Sequence, residues 1–173
     1  MREYLAIFIV IIFLVVLSET RIRIGVDKFS QISCAGHLKK QYESFHLLMG
    51  ENPGSFAEHP EKPWYTLLPN INPDNLLCPK TKEVQPADKN NPLICNYALD
   101  NKRYEFFKNE RIFEANRPRA ILLLDSEEDP TSFNIFPMVN PAFRHSNGCN
   151  IMLMDGSVIW CDKDDFAGDD FAY

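Results

Sequence analysis

With 173 residues, 45% of them hydrophobic and 24% charged, and with 12 prolines against 7 glycines, the chain has the composition of one globular domain plus an appendage, which excludes disorder, collagen-like repeats and a multidomain enzyme. The formal net charge is −6, and acid gathers at the end, where Asp162, Asp164, Asp165, Asp169 and Asp170 stand against the single Lys163. Such an end repels a phosphate backbone, so no nucleic-acid partner is expected.

Tyr4 to Leu17 is an uninterrupted apolar run, preceded by Arg2 and Glu3 and followed by Ser18, Glu19, Thr20 and Arg21. Its roughly 14 residues rise about 21 Å as a helix, short of the ~30 Å hydrocarbon core unless snorkelling flanks extend it. The stretch is too uniformly apolar for the amphipathic helix of a soluble protein. A cleaved signal would need small residues before the cut, and Val15 to Thr20 offers no such pair. Residues 1–20 therefore read as a retained membrane anchor that meets the bilayer through residues 4–17. Arg21, Arg23 and Lys28 follow the run, and the positive-inside rule taken alone would leave the remainder of the chain in the cytoplasm.

From about Val26 to Met49 the chain has no proline. Phe29, Ile32, Leu38, Tyr42, Phe45 and Leu48 recur largely at helical spacing, and Gly50-Glu51-Asn52-Pro53-Gly54 ends the pattern. Residues 21–50 are thus expected as the amphipathic continuation of one long amino-terminal helix, with Gly25 the natural bend; two helices joined by a turn are the alternative. Residues 51–173 form the expected head. Pro60, Pro63, Pro69, Pro73 and Pro79 forbid a long helix at its start. Cys95 to Leu99 and Ala120 to Asp125 read as strands, the second apolar enough to be buried on both faces. Residues 127 to 143 read as a long loop.

Asn150 to Met154, Asp155-Gly156 and Ser157 to Cys161 read as a hairpin closed by a two-residue turn, because both central residues of a type I′ turn need positive φ. That turn pairs Ile151 with Trp160 and Leu153 with Val158 on the expected core face. It sends Cys149 and Cys161 to opposite faces.

Several of these segments carry a resemblance. His145, nine intervening residues and Asp155-Gly156 resemble the H-x9-DG carboxyl-terminal signature of prepilin-like, type II secretion pseudopilin-like proteins of bacteria. Gln31-Ile32-Ser33-Cys34 with Leu38-Lys39-Lys40 is similar to that family's I-S-C-x-x-N-L-K-Q helix, with His37 in place of the asparagine. Leu77-Cys78-Pro79 resembles its C-P step, Asn96 to Leu99 its S-Y-A-L-N strand, and Ile121 to Ser126 its I-L-L-A-D-S strand. The likeness runs loosely from Lys28 to Cys161. Prepilins open with a basic leader, a glycine and F-T-L-x-E; here Met1-Arg2-Glu3-Tyr4-Leu5 puts Glu3 in the glutamate's place without the leader or the glycine.

The resemblance implies an α+β, pilin-like fold with a long amino-terminal helix packed on a small antiparallel sheet. It implies a membrane-anchored structural or assembly subunit of a type II secretion-like or surface pseudopilus, single-pass in the bacterial cytoplasmic membrane, with the head outside the cytoplasm and other pilin-like subunits as partners. The alternative is a monomeric anchored binding module, for exported polysaccharide for example, built on Trp64, Tyr65, Tyr104, Phe106 and Phe107. An exposed platform of these rings would favour that alternative.

Catalysis is not expected. Ser126, Ser146, His37, His46, His59 and His145 are the available nucleophiles and bases, and no G-x-S-x-G, H-E-x-x-H or phosphate-binding glycine loop accompanies them. His145 and Asp155 lie too far apart along an extended strand to act as an acid–base pair, so His145 reads as capping the strand and Asp155 as fixing the turn. No cofactor motif is present. Asp162, Asp164 and Asp165 are weak calcium candidates, and a solvated acidic tail is the preferred reading of them. The five cysteines include no C-x-x-C pair. With export implied, Cys34 on the helix and Cys78 on the first head segment are the candidates for a disulfide closing a loop of roughly 45 residues, worth about 4 kcal/mol; two separately buried thiols are the alternative.

Overall fold

A computed structural model describes residues 2–60, 62–81, 95–108, 120–126, 135–136 and 140–166, leaving aside the side chains of 2–6, 102–103, 106, 108 and 135–136. The proline-free start forms one continuous helix, α1 (Arg2–Glu51), 50 residues long, which runs on through Gly25. Then come a short helix α2 (Ser55–Glu58) and 3-10 turns at Trp64–Thr66 and Pro73–Leu76. Pro73 opens the second turn, and Asn72 caps it by accepting from the Asp74 amide at 3.0 Å. The remaining elements are β1 (Tyr97–Asp100), α3 (Asn101–Lys108), β2 (Ile121–Asp125), β3 (Ile135–Phe136), β4 (Gly148–Leu153), β5 (Val158–Asp162) and α4 (Lys163–Phe166). Among the described residues the longest helix after α1 is α3, with 8 residues. Most of 127 to 143, expected as a loop, lies outside the described residues.

The sheet has the order β3-β1-β2-β4-β5. Its four strands β1, β2, β4 and β5 are antiparallel, and only β3 pairs parallel, against β1. The fold is therefore α+β, a long helix with an antiparallel sheet.

One sheet face packs on the second half of α1. Leu38, Phe45 and Leu48 of the helix meet Tyr97, Leu99, Leu123 and Met152 of the sheet, and Phe56, Trp64, Leu76 and Phe107 complete this core. On the other face Ala98, Leu124, Cys149, Ile151, Leu153 and Cys161 are covered by Phe143 and Phe166, whose rings lie 5.7 Å apart. Burial on both faces explains the unbroken apolar run of β2. Among the described residues, every side chain from Ile7 to Leu17 is between 44% and 62% exposed. Among the described residues no helix is long and apolar enough to cross a membrane, the apolar run giving way to Glu19, Arg21 and Arg23.

The β4–β5 hairpin departs from the expected register by one residue. Asn150 faces Trp160, Ile151 faces Ile159 and Met152 faces Val158. The loop has three residues, since the Leu153 amide donates to the Ser157 carbonyl at 2.9 Å and the Gly156 amide to the Leu153 carbonyl at 3.0 Å. Gly156 has φ +80°, while Asp155 is not among the positive-φ residues. This is a type I turn followed by a left-handed glycine, the usual three-residue hairpin. The shift moves Trp160 from the Ile151 face to the face of Asn150 and Met152, which packs on α1, leaves it 40% exposed, and sets Cys149 directly opposite Cys161 instead of on the other face.

Candidate functional site

The second half of α1 carries a polar stripe at spacings of three and four residues: Cys34, His37, Gln41 and Ser44. These side chains fasten the proline-rich segment to the helix. His37 Nδ1 meets the Leu77 carbonyl at 2.8 Å and Gln41 Nε2 donates to the Asn75 carbonyl at 2.7 Å. Ser44 Oγ donates to the Pro69 carbonyl. Two further bonds set Cys78, which follows that segment: its amide donates to Asn96 Oδ1 at 2.9 Å, and the Asn96 amide donates to the Leu76 carbonyl at 2.8 Å. Proline cannot donate, so these carbonyls need outside donors or solvent, and the helix supplies them.

His145 reaches the same place from the other end of the chain. It begins a tight reversal in which His145 and Gly148 exchange both backbone hydrogen bonds, at 3.1 and 3.0 Å. The two central residues, Ser146 and Asn147, have φ 51° and 64°, the pattern of a type I′ turn. Trp160 lies across Gly148 and donates from Nε1 to the His145 carbonyl at 3.0 Å. Asp27 of α1 holds the same turn, accepting from Ser146 Oγ and pairing with Lys80, whose Nζ also donates to the Arg144 carbonyl at 2.9 Å.

Cys34, Cys78, Asp125 and His145 consequently converge between α1 and the sheet, with one donor atom from each all within 4.8 Å of one another. His145 Nε2 is 3.3 Å from Cys78 Sγ and 3.4 Å from Asp125 Oδ2. Cys34 Sγ is 3.8 Å from the same Asp125 oxygen, and it accepts from the Tyr97 hydroxyl at 3.3 Å. Arg144 takes the other oxygen, Nη1 to Oδ1 at 2.6 Å, and thereby turns Oδ2 into the cluster. The group is sealed: Cys34, Asp125 and His145 are 0% exposed and Cys78 2%.

Packing four ionisable groups together moves their proton affinities apart. Donation to Cys78, followed by burial and the Asp125 carboxylate, pushes the Cys34 thiol up. The Cys34 hydrogen bond draws Cys78 down to about 4 against the opposing effect of burial, and His145 assists. Burial lifts Asp125 to about 6, opposed by His145 and Arg144. Burial by itself would lower His145, but hydrogen bonds to Asp125 and Cys78 outweigh it and hold the imidazole at about 9. A thiolate beside an imidazolium is the chemistry of a nucleophilic pair, yet among the described residues the pair is buried. What the arrangement offers is a donor set of two sulfurs, one imidazole nitrogen and one carboxylate oxygen.

The two halves of the H-x9-DG segment act at opposite ends of β4. His145 enters the buried cluster instead of merely capping the strand. Asp155 Oδ1 fixes the turn, accepting from the Ser157 amide at 2.9 Å and from its hydroxyl at 2.6 Å. Gly156 rests on the Tyr42 ring of α1, and the Tyr42 hydroxyl donates to the Met154 carbonyl at 3.1 Å. Cys34 and Cys78, the candidates for a disulfide, lie side by side with no S–S bond between them, and Cys149 and Cys161, opposite each other in the hairpin, are likewise unlinked.

The calcium candidates do not gather. Asp162 Oδ1 accepts from the Asp164 amide at 3.0 Å at the start of α4, and the Asp164 and Asp165 side chains are exposed. Among the described residues the only convergent set of three or more His, Cys, Asp or Glu is the one around His145; Asp169 and Asp170 lie outside the described residues. Of the proposed aromatic platform, Trp64, Tyr65, Tyr104 and Phe107 are buried in the core, and the Phe106 side chain lies outside the described residues.

Asp125 was not singled out from the sequence. Its signal was there, since an aspartate ending the run Ile121-Leu122-Leu123-Leu124 must be buried with the strand, and a buried carboxylate requires partners. Comparison with known protein families, curated proteins and solved structures found no match to this chain.

Proposed function

We propose that this chain is a membrane-anchored, pilin-like structural or assembly subunit of a type II secretion-like or surface pseudopilus. The observation that carries the reading is the division of labour within α1. Residues from Cys34 to Leu48 are spent on the head, whereas Ile7 to Leu17 are apolar on every side and, among the described residues, stay exposed. A helix apolar all round requires an apolar environment. The run is shorter than a bilayer, which suits a helix held by the membrane before assembly, with Arg21 and Arg23 snorkelling to the interface, and by neighbouring helices afterwards. The head lies outside the cytoplasm in this reading and sets the contacts between subunits. Burial of the candidate ligand-binding aromatics and closure of the polar cluster both weigh against a surface binding module or an enzyme.

Fractionation of the host tests the reading. The chain should remain in the membrane pellet through an alkaline wash, and protease added outside the cytoplasmic membrane should digest the head. Recovery in the wash, or a head protected on the cytoplasmic side, would refute it.

A further inference from the structure

We infer that Cys34, Cys78, Asp125 and His145 form a structural zinc site that ties α1 to the head, a role separate from anchoring. The residues come from four parts of the chain: α1, the segment after the Pro73 turn, the end of β2, and the type I′ turn before β4. The fold brings one donor atom of each within 4.8 Å of all the others.

Three of the six donor–donor separations suit a tetrahedral centre. With Zn–S near 2.3 Å and Zn–N or Zn–O near 2.0–2.1 Å, neighbouring donor atoms stand roughly 3.3–3.8 Å apart. The separations are 3.3 Å from Cys78 Sγ to His145 Nε2, 3.4 Å from His145 Nε2 to Asp125 Oδ2, and 3.8 Å from Cys34 Sγ to Asp125 Oδ2. Two sulfurs with one imidazole and one carboxylate suit zinc over calcium or magnesium, which favour all-oxygen sets.

Neighbouring groups orient the ligands as well. Tyr97 donates to the Cys34 sulfur, the Cys78 amide is held by Asn96, and Arg144 fixes the far oxygen of Asp125, so three of the four ligands are oriented by a group that is not itself a ligand. The fourth is set by its backbone, through the reciprocal bonds with Gly148 and the Trp160 indole. Charge also balances: two thiolates, one carboxylate and a neutral imidazole leave a zinc complex at −1, and the adjoining Arg144 neutralises it. Zinc entry displaces to solvent whatever protons the two sulfurs and the imidazole carry and involves no change of oxidation state.

The test uses the full chain, purified in detergent under reductant, stripped with chelator and titrated with zinc or cobalt(II). Zinc should bind stoichiometrically, and cobalt should give thiolate charge-transfer bands with the strong visible absorption of a tetrahedral site. Cys78→Ser and Asp125→Asn should lose stoichiometric zinc, whereas Cys161→Ala, on the other sheet face, should retain it. Tyr97→Phe, which keeps the ring in the core, should weaken zinc roughly 10–100-fold. Full zinc retention by Cys78→Ser and Asp125→Asn, or no zinc uptake by the reduced wild-type chain, would overturn the site. So would a Cys34–Cys78 disulfide in protein taken from the native host.

Discussion

Gly156, at the tip of the β4–β5 hairpin, sits directly on the ring of Tyr42 in α1: a Cβ at position 156 would come within 2.8 Å of Tyr42 Cε1. The glycine is required twice, once by its φ of +80° and once by the approach of the ring. Gly156→Ala should therefore cost roughly 1–3 kcal/mol. Tyr42→Phe, which removes only the hydroxyl bond to Met154, should cost about 0.5–1.5 kcal/mol. Urea unfolding of the full chain in detergent measures both. A Gly156→Ala variant as stable as wild type would mean that the tip does not dock on the helix.

The hairpin also makes a prediction about Trp160. Being 40% exposed and lying over Gly148, it contributes less than a core ring, and Trp160→Ala should cost about 1–2 kcal/mol instead of the 3–5 typical of a buried aromatic. Gly148→Ala should cost more, because its Cβ would lie 2.4 Å from the indole and 2.5 Å from the Cys161 carbonyl. Removing the indole leaves that carbonyl in place. The double variant should thus recover only part of the loss, and full recovery would contradict the geometry.

The turn that delivers His145 depends on two left-handed residues. Asn147→Val should destabilise by about 1–2 kcal/mol, since a β-branched side chain resists φ 64°, whereas Asn147→Gly should be neutral or stabilising. The same unfolding measurement applies, and equal stability of the two variants would refute the turn.

These positions show what the sequence made legible. The proline-free, helically spaced stretch from Val26 to Met49 marked the helix, and the apolar run from Ala120 to Asp125 and the hairpin sequence from Asn150 marked strands. The register was another matter. Asp155-Gly156 satisfies a two-residue type I′ turn and a three-residue turn ending in a left-handed glycine equally well, and one residue of difference exchanges the two faces. The choice lay in packing: Gly156 fits under Tyr42, 114 positions away, an encounter no local pattern records. The cluster was half legible for a related reason. Cys34, Cys78 and His145 stood out as chemistry, but their meeting point is set by Asp125, whose role depends on Tyr97, Arg144 and the helix stripe arriving together.

The two halves of α1 should respond differently to truncation. Phe45 packs edge-on to Phe107 at 4.9 Å and against Phe56 at 5.7 Å, so Phe45→Ala should cost about 3–5 kcal/mol of head stability. Phe13→Ala, at a position 62% exposed, should leave head unfolding within about 0.5 kcal/mol of wild type. A large loss at Phe13 would mean that the first half of the helix belongs to the head after all.

The most direct test of the pilin-like account is photo-cross-linking in the intact host, with a reactive group at Phe13 and, as control, at Lys163 on the exposed start of α4. Phe13 should give adducts, in the membrane fraction, with the α1 helices of further copies of this chain or of other pilin-like subunits, a helix-to-helix product that Lys163 in the head should not give. Failure of Phe13 to capture any such subunit, with the chain recovered free in the soluble fraction, would contradict the account.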